Sequence, residues 1–418
     1  MSTSQDTYPE GVDHTLTLAK DGYMFIKNMS DKYQSDIFVT HLLGHKITCM
    51  TGKEAAKLFY DSERFIRRGV APKRVQKTLF GENAIQGMDN EAHLHRKALF
   101  LSQMNQENQM QLAKIVEDQW NAVMPRWINA DEVNLFDEAK SILCKSSCLW
   151  AGVPLPEAEI KSRAEDFAAM VDAFGAVGPR HWKGRTARTK TEEWMKSIIE
   201  NVRLDRLKAP EDSALSAIAF HRELDGKLLD SNMAAIELIN ILRPIVAIST
   251  YIVFTALALF EHPELRNSLL SGDDVEYEMF VQEVRRYYPF TPFLGAKVKK
   301  NFVWKQHQFN EGDLVMLDVY GINHDTRIWK NPYVFQPSRF KDFDGDLFEF
   351  IPQGGGESSK GHRCPGEGFT IEIMKVSLKF LVNRIEFNVP EQDLSYDLNR
   401  IPTFPKSGFI INKIKQKK

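Results

Sequence analysis

A lone cysteine, Cys364, ends the run Gln353-Gly354-Gly355-Gly356-Glu357-Ser358-Ser359-Lys360-Gly361-His362-Arg363-Cys364, and Pro365-Gly366-Glu367-Gly368 leads from it into a helical pattern. A thiolate near the positive end of a helix is held ionised and can serve as a metal ligand. Pro365 suits the first helical position, which needs no amide hydrogen, and that would put Cys364 at the cap. The glycines let backbone pass close to a flat ligand and aim amide hydrogens at the sulfur. Downstream, Phe369, Ile373, Val376 and Phe380 recur at helical spacing, which gives the next helix a buried face. A single thiolate on a glycine-rich loop is one way in which haem iron is held. The alternatives are weaker. A lone cysteine is most often a small buried hydrophobe. The loop lacks the Gly-x-x-x-x-Gly-Lys-Ser/Thr pattern of a phosphate cradle, and His362 and Cys364 are too close for a usual zinc pair.

Two further groups must be positioned relative to this loop. Glu283 and Arg286 are three apart on a helix that stops before Pro289, with Phe280, Val284 and Tyr287 as its apolar stripe. The segment Phe335-Gln336-Pro337-Ser338-Arg339-Phe340 supplies another arginine, and the three charged groups can lock that segment to the helix. Taken alone, Glu283 and Arg286 would be a surface pair worth little. Arg243 stands in apolar surroundings, in Glu237-Leu238-Ile239-Asn240-Ile241-Leu242-Arg243-Pro244-Ile245-Val246-Ala247, where an unpaired guanidinium is expensive. It can pair with an acid of the protein or with a haem propionate, or serve as a bidentate anchor for a substrate carboxylate. Pro244 removes one helical hydrogen bond and should kink the chain.

The chain has 418 residues, 43% hydrophobic and 26% charged, ordinary for a soluble globular protein, and a net charge of −2 gives no case for nucleic-acid binding. No linker or repeat divides it, so residues 1–418 read as one domain. Four cysteines suggest reduced thiols rather than a disulfide scaffold, and the polar N-terminus lacks an apolar signal core, so a cytoplasmic location is expected. The nearly uncharged run Pro244–Phe260 is marginal for a bilayer span and reads as a buried central helix, with no transmembrane segment expected. Ile37–Thr40 and Ile47–Met50 flank Gly44 as a hairpin, residues 54–260 are mostly helical, and short strands are predicted at 302–304 and 314–317. The fold class is mainly α with small β-sheets.

In this order, the Glu-x-x-Arg helix, the Phe-x-Pro-x-Arg-Phe segment and the Cys loop resemble the cytochrome P-450 superfamily. The resemblance implies that fold, with haem b (iron protoporphyrin IX) between the central helix and the Cys-loop helix. Cys364 would then be the metal ligand, and Glu283, Arg286 and Arg339 would be structural. Two departures are informative. The family's usual Phe seven residues before the Cys and Arg two before it are Glu357 and His362 here, with Arg363 displaced by one. The acid–threonine pair that relays protons in most members is missing from the central helix. Arg243-Pro244, the long Gln-Gly-Gly-Gly loop, Ala84-Ile85-Gln86-Gly87 and Pro289-Phe290-Thr291-Pro292-Phe293 are similar to the bacterial fatty-acid peroxygenase branch, whose members include fatty-acid α/β-hydroxylases and alkene-forming decarboxylases.

That branch implies hydrogen peroxide as co-substrate and a long-chain fatty acid as substrate. No redox partner is obligatory, because peroxide already carries the electrons and protons. A carboxylate held by Arg243 would act as general acid and base, and only the α and β carbons would then lie near the iron, giving 2- and 3-hydroxy acids. Decarboxylation to terminal alkenes is the competing outcome. Gln86 in place of His leans toward hydroxylation. Leu79, Phe80, Val171, Phe290 and Phe293 are candidate tunnel residues, although core packing is the simpler role for any one of them. Arg67, His93 and Lys97 are candidate propionate partners, with His95 and Arg96 as alternatives on the same helix. The rival functions are a conventional oxygen-dependent monooxygenase fed by a redox partner, a non-catalytic haem–thiolate sensor, and a peroxide-handling haem protein without fatty-acid specificity.

Overall fold

The computed structural model describes residues 12–417. Its long helices are α1 (Asn90–Gln103), α2 (Gln106–Ile128), α3 (Leu135–Ala151), α4 (Ile160–Asp172), α5 (Pro179–Arg203), α6 (Ser231–Ala247), α7 (Ser249–Glu261), α8 (Asp274–Tyr287) and α9 (Glu367–Asn383). The strands are β1 (Ile37–Leu42), β2 (His45–Met50), β3 (Phe65–Ile66), β4 (Glu132–Asn134), β5 (Phe293–Val298), β6 (Phe302–Trp304), β7 (His307–Phe309), β8 (Leu314–Asp318), β9 (Ile385–Asn388) and β10 (Ile410–Gln416). The fold is therefore mainly α with small sheets, as expected from the sequence.

The expected hairpin pairs β1 with β2, with Leu42 opposite His45 across the turn. It extends into a five-stranded sheet of order β1-β2-β8-β5-β3, where only β2 and β8 run parallel. A second sheet, β4-β10-β9, ties the C-terminal strand to the chain before α3, and β6 and β7 form a separate ribbon.

Helix α6 runs through the main core, packed against α3, α4 and α5. Its start is fixed by Asp230, whose carboxylate accepts from the amides of Asn232 and Met233 at 2.9 and 3.2 Å. Nearly all of its side chains are buried, including Glu237, Asn240 and Arg243, spaced three apart. The single helix expected over 244–260 is instead two. The interruption falls at Ile248, whose amide turns back to Ile245 at 3.1 Å, one turn after Pro244 leaves the Asn240 carbonyl without its helical donor. The joined stretch Ser231–Glu261 is long and apolar enough to cross a bilayer by length and composition, yet 94% of its most apolar window is buried within the protein.

Helix α9 carries the Cys loop and packs on α2, α7 and α8. Phe369, Ile373 and Phe380 are buried, and Trp120 of α2 stacks on Phe380 at 5.2 Å while its indole N–H donates to Ser377 Oγ at 3.0 Å. That two-point contact fixes the helix that follows Cys364.

Candidate active site

The Cys loop is closed by one backbone bond, from the Cys364 amide to the Gln353 carbonyl at 3.0 Å. Gly354 and Gly356 have φ of +100° and +78°, and a Cβ on Gly354 would meet the Tyr60 hydroxyl and the Arg363 backbone. The helix begins two residues later than the sequence predicts. Its cap is Gly366, so Pro365 forms part of a turn and Cys364 lies outside the cap. The sulfur is served by the Gly366 amide and by Gln353 Nε2 at 3.9 Å. Burial still raises the thiol pKa above its ordinary value. The Gly366 amide and the charges of Lys97 and Arg285 only partly offset this, so cap position does not hold the sulfur ionised. A metal ion would do so by direct coordination. A depression of about 330 Å³ reaches Cys364 between Gln109, Gln282, Arg285, Arg363 and Glu367.

Three charged contacts secure the loop. Arg285 of α8 pairs with Glu367 and donates to Gln353 Oε1 at 3.0 Å, Arg363 bonds Glu367 at 2.6 Å, and Lys97 of α1 donates to the carbonyls of Gly361 and Arg363, the latter at 2.7 Å. Next to α8's Arg285, Arg286 reaches Glu283 with Nε at 2.7 Å and NH2 at 2.8 Å, and Arg339 Nε reaches the same carboxylate at 3.1 Å. The Gln336 amide adds a bond at 2.8 Å. Glu283 and Arg286 are both 0% exposed, so this is a closed internal cluster rather than a surface pair.

Arg67, His93 and Lys97 lie together beside the loop. The Arg67 amide donates to Asp89 Oδ1 at 2.8 Å, Asp89 lies 3.7 Å from His362, and His362 stacks on His93 at 4.0 Å. Arg67 and Lys97 are buried, yet neither has a carboxylate within ion-pairing distance among the described residues. Burial lowers their pKa values to about 10 and about 8. Two buried cations without counter-charges, on the flank of a thiol-bearing loop, fit the two propionates of haem. Cys364 would then supply the iron ligand. The two alternatives on α1 are engaged elsewhere: His95 Nε2 contacts the Arg222 carbonyl at 2.8 Å, and Arg96 pairs with Glu223 and with Glu237, the latter at 2.8 Å.

Across the core, α6 is stitched to the segment 79–86. Glu237 Oε1 accepts from the Ile85 amide at 2.9 Å, Asn240 Nδ2 donates to the Phe80 carbonyl at 2.9 Å, and Arg243 NH1 donates to the Leu79 carbonyl and to Asn240 Oδ1, the latter at 3.1 Å. Gln86 touches the same cluster, with Oε1 3.5 Å from Asn240 Nδ2. Arg243 is 5% exposed, and no carboxylate lies within ion-pairing distance among the described residues. Burial, and then the neighbouring Arg188 charge, lowers its pKa to about 9, which still leaves it cationic at neutral pH. The nearest acid, Glu237, is already committed to Arg96. Leu79, Phe80, Gln86 and Arg243 therefore meet in one place. Phe290 has its ring stacked on Tyr251 of α7 at 4.3 Å. Val171, at the end of α4, and Phe293, at the start of β5, are half-buried and lie on separate elements. Sequence reading missed Glu237 as the partner of Arg96, and it missed Arg188 altogether. Both contacts join residues more than a hundred positions apart.

Residues 276–411 match the family model described as Cytochrome P-450. Among solved structures, a variant of cytochrome P450SP alpha (CYP152B1) is 43% identical over 97% of this chain and 100% of that one, with a TM-score of 0.95. Cytochrome P450EX alpha (CYP152N1) with myristic acid is 41% identical over 98% of each chain, with a TM-score of 0.94. A variant of OleT in complex with arachidonic acid is 37% identical over 98% of each, with a TM-score of 0.95. Curated relatives are more distant. (+)-Menthofuran synthase of Mentha piperita is 27% identical over a stretch covering 34% of this chain and 30% of that protein, so the chain spans about a third of that relative's length. The family's cofactor is haem iron on a cysteine thiolate, which the residues around Cys364 fit. The chain belongs to the cytochrome P-450 superfamily, on the branch that holds the CYP152 proteins.

Proposed function

We propose that this chain is a haem–thiolate fatty-acid peroxygenase. It uses hydrogen peroxide to hydroxylate long-chain fatty acids at the α and β carbons, with decarboxylation to a terminal alkene as a minor outcome. The observation that carries this reading is Arg243, a buried guanidinium that donates through NH1 to two neutral oxygens and whose charge no carboxylate among the described residues answers. A neutral carbonyl and an amide oxygen satisfy donors without supplying a counter-ion. A substrate carboxylate would supply both, in bidentate geometry. Structural relatives crystallised with myristic and arachidonic acids support a fatty acid as the source of that carboxylate.

Bound to Cys364, haem would supply the iron chemistry that splits the peroxide bond, for a net exchange of C–H and H2O2 into C–OH and water. The chain's own part is positional. Arg243 would hold the carboxylate where it takes a proton from one peroxide oxygen and returns it to the other, replacing the absent acid–threonine pair. The same clamp would limit attack to the α and β carbons. Pro244 directly follows Arg243 and removes a helical bond there. Gln86, at the edge of the Asn240 cluster, would favour hydroxylation. Leu79, Phe80, Val171, Phe290 and Phe293 would line the alkyl path. Arg67, His93 and Lys97 would hold the propionates. The whole chain would act as one haem domain without a dedicated electron-transfer partner.

The test is haem-loaded protein mixed with a long-chain saturated fatty acid and hydrogen peroxide, without reductant or partner, with products read by gas chromatography–mass spectrometry. Hydroxy acids at C2 and C3 are expected. Product appearing only with reductant and an electron-transfer protein would replace this reading with the conventional monooxygenase.

A further inference from the structure

The Leu79 carbonyl has two charged donors. One is Arg243 NH1. The other is Arg188 NH1 at 2.9 Å, reaching in from α5. Arg188 is 2% exposed, so two guanidinium groups meet on one oxygen in the core. Arg188 Nε is paired with Glu192 at 2.5 Å, one helical turn away, whereas its buried NH2 has no hydrogen-bond partner. That NH2 sits over Gly81, which has φ of +88°. A Cβ there would lie 2.5 Å from the NH2 and equally close to Ile236. The glycine therefore leaves a notch that the Arg188 guanidinium fills, beside α6 and immediately after the segment bearing Leu79 and Phe80.

This arrangement resolves a conflict in the carboxylate reading. If Arg243 turns NH1 to a substrate, it releases the Leu79 carbonyl, and a buried carbonyl without a donor is costly. Arg188 already donates to that oxygen and keeps it satisfied when Arg243 leaves. Its charge, partly offset by Glu192, is felt at Arg243 in surroundings where water screens little.

We infer that Arg188 is a positioning residue for recognition of the substrate carboxylate: it holds the Leu79 carbonyl so that Arg243 is free to engage the acid, and its charge, partly offset by Glu192, adds to the positive field beside the head group. The inference rests on the reading of Arg243 as the anchor. The selectivity of this region for acids over neutral chains is thus shared between α5 and α6.

The test uses calorimetric dissociation constants of haem-loaded full-length protein for myristic acid and for 1-tetradecanol, which has the same chain without the charge. Arg188→Met is expected to weaken myristic acid about tenfold while tetradecanol stays within twofold, and Arg188→Lys is expected to restore most of the loss. Should Arg188→Met fail to load haem, Arg188→Gln keeps a donor for Leu79 without the charge and is expected to lose acid affinity selectively. Equal weakening of both ligands, or of neither, overturns the inference and leaves Arg188 as packing. A parent protein that binds acid and alcohol equally overturns the Arg243 anchor itself, and this inference with it. A parent that discriminates, with variants that keep the discrimination, overturns only the role of Arg188.

Discussion

Around Glu283, two guanidinium groups share one carboxylate; around Leu79, two guanidinium groups share one carbonyl oxygen. Both clusters lie in the interior, and both give arginine side chains acceptors. In the first, one carboxylate touches both arginines; in the second, Glu192 answers Arg188 and no carboxylate among the described residues answers Arg243. The Glu283 cluster is closed by further bonds to the carbonyls of Asn323, Lys330 and Val334, so it joins α8 to two distant segments and offers nothing to a ligand. The Leu79 cluster keeps a cation uncompensated, and a fold tolerates that expense when a ligand relieves it. Buried arginines can thus be sorted by whether a carboxylate answers them.

The largest effect that would break this comparison lies in the first cluster. Glu283→Gln leaves Arg286 and Arg339 buried without a counter-charge, and a loss of about 3–5 kcal/mol in stability is expected, seen as failure to accumulate haem-loaded protein or as a large fall in Tm. The second cluster should respond in the opposite sense. Arg243→Leu removes an unanswered buried cation, so Tm is expected to hold or rise while affinity for myristic acid falls about a hundredfold, or about 2.7 kcal/mol. A Tm loss as large as that of Glu283→Gln would show that Arg243 is structural after all.

A smaller effect sharpens the first region further. His324 is 1% exposed and contacts the Tyr320 carbonyl through Nδ1 at 2.9 Å; burial, then the nearby Arg286 charge, lowers its pKa to about 3. The unfolded chain binds a proton near pH 6.5 that the folded chain refuses until about pH 3. Stability is therefore fully present above pH 6.5 and falls as pH drops through that window, by about 1 kcal/mol per pH unit. Chemical denaturation of the parent and of His324→Gln at pH 7 and pH 5 checks this, and an unchanged pH slope in the variant would remove His324 from the account.

Much of this was readable in the residues. The Cys loop, the Glu-x-x-Arg helix and the hairpin at Gly44 are local patterns, set by glycine, by helical spacing and by alternation. The position of the helix cap was not readable. Pro365 is compatible with either the first helical turn or the turn before it, and the choice falls to Gly366, where the backbone turns toward the sulfur. The charge balance at Arg243 was equally hidden. Glu237 lies on the same helix and would serve as its partner by sequence, but Arg96, 141 residues away, takes that carboxylate. Periodicity reports which face is buried and says nothing of which distant group arrives there first.

The central pair α6–α7 also shapes how the chain is made. Ser231–Glu261 is apolar enough to pass for a bilayer segment, and α7 is covered partly by α9. Helix α9 ends at Asn383, so a ribosome working at 5–20 residues per second delivers it about ten seconds after α7. During that interval the nascent chain carries a greasy, half-covered helix, a natural client for chaperones and a hazard for self-association. A chain stopped before Glu367 keeps that exposure permanently.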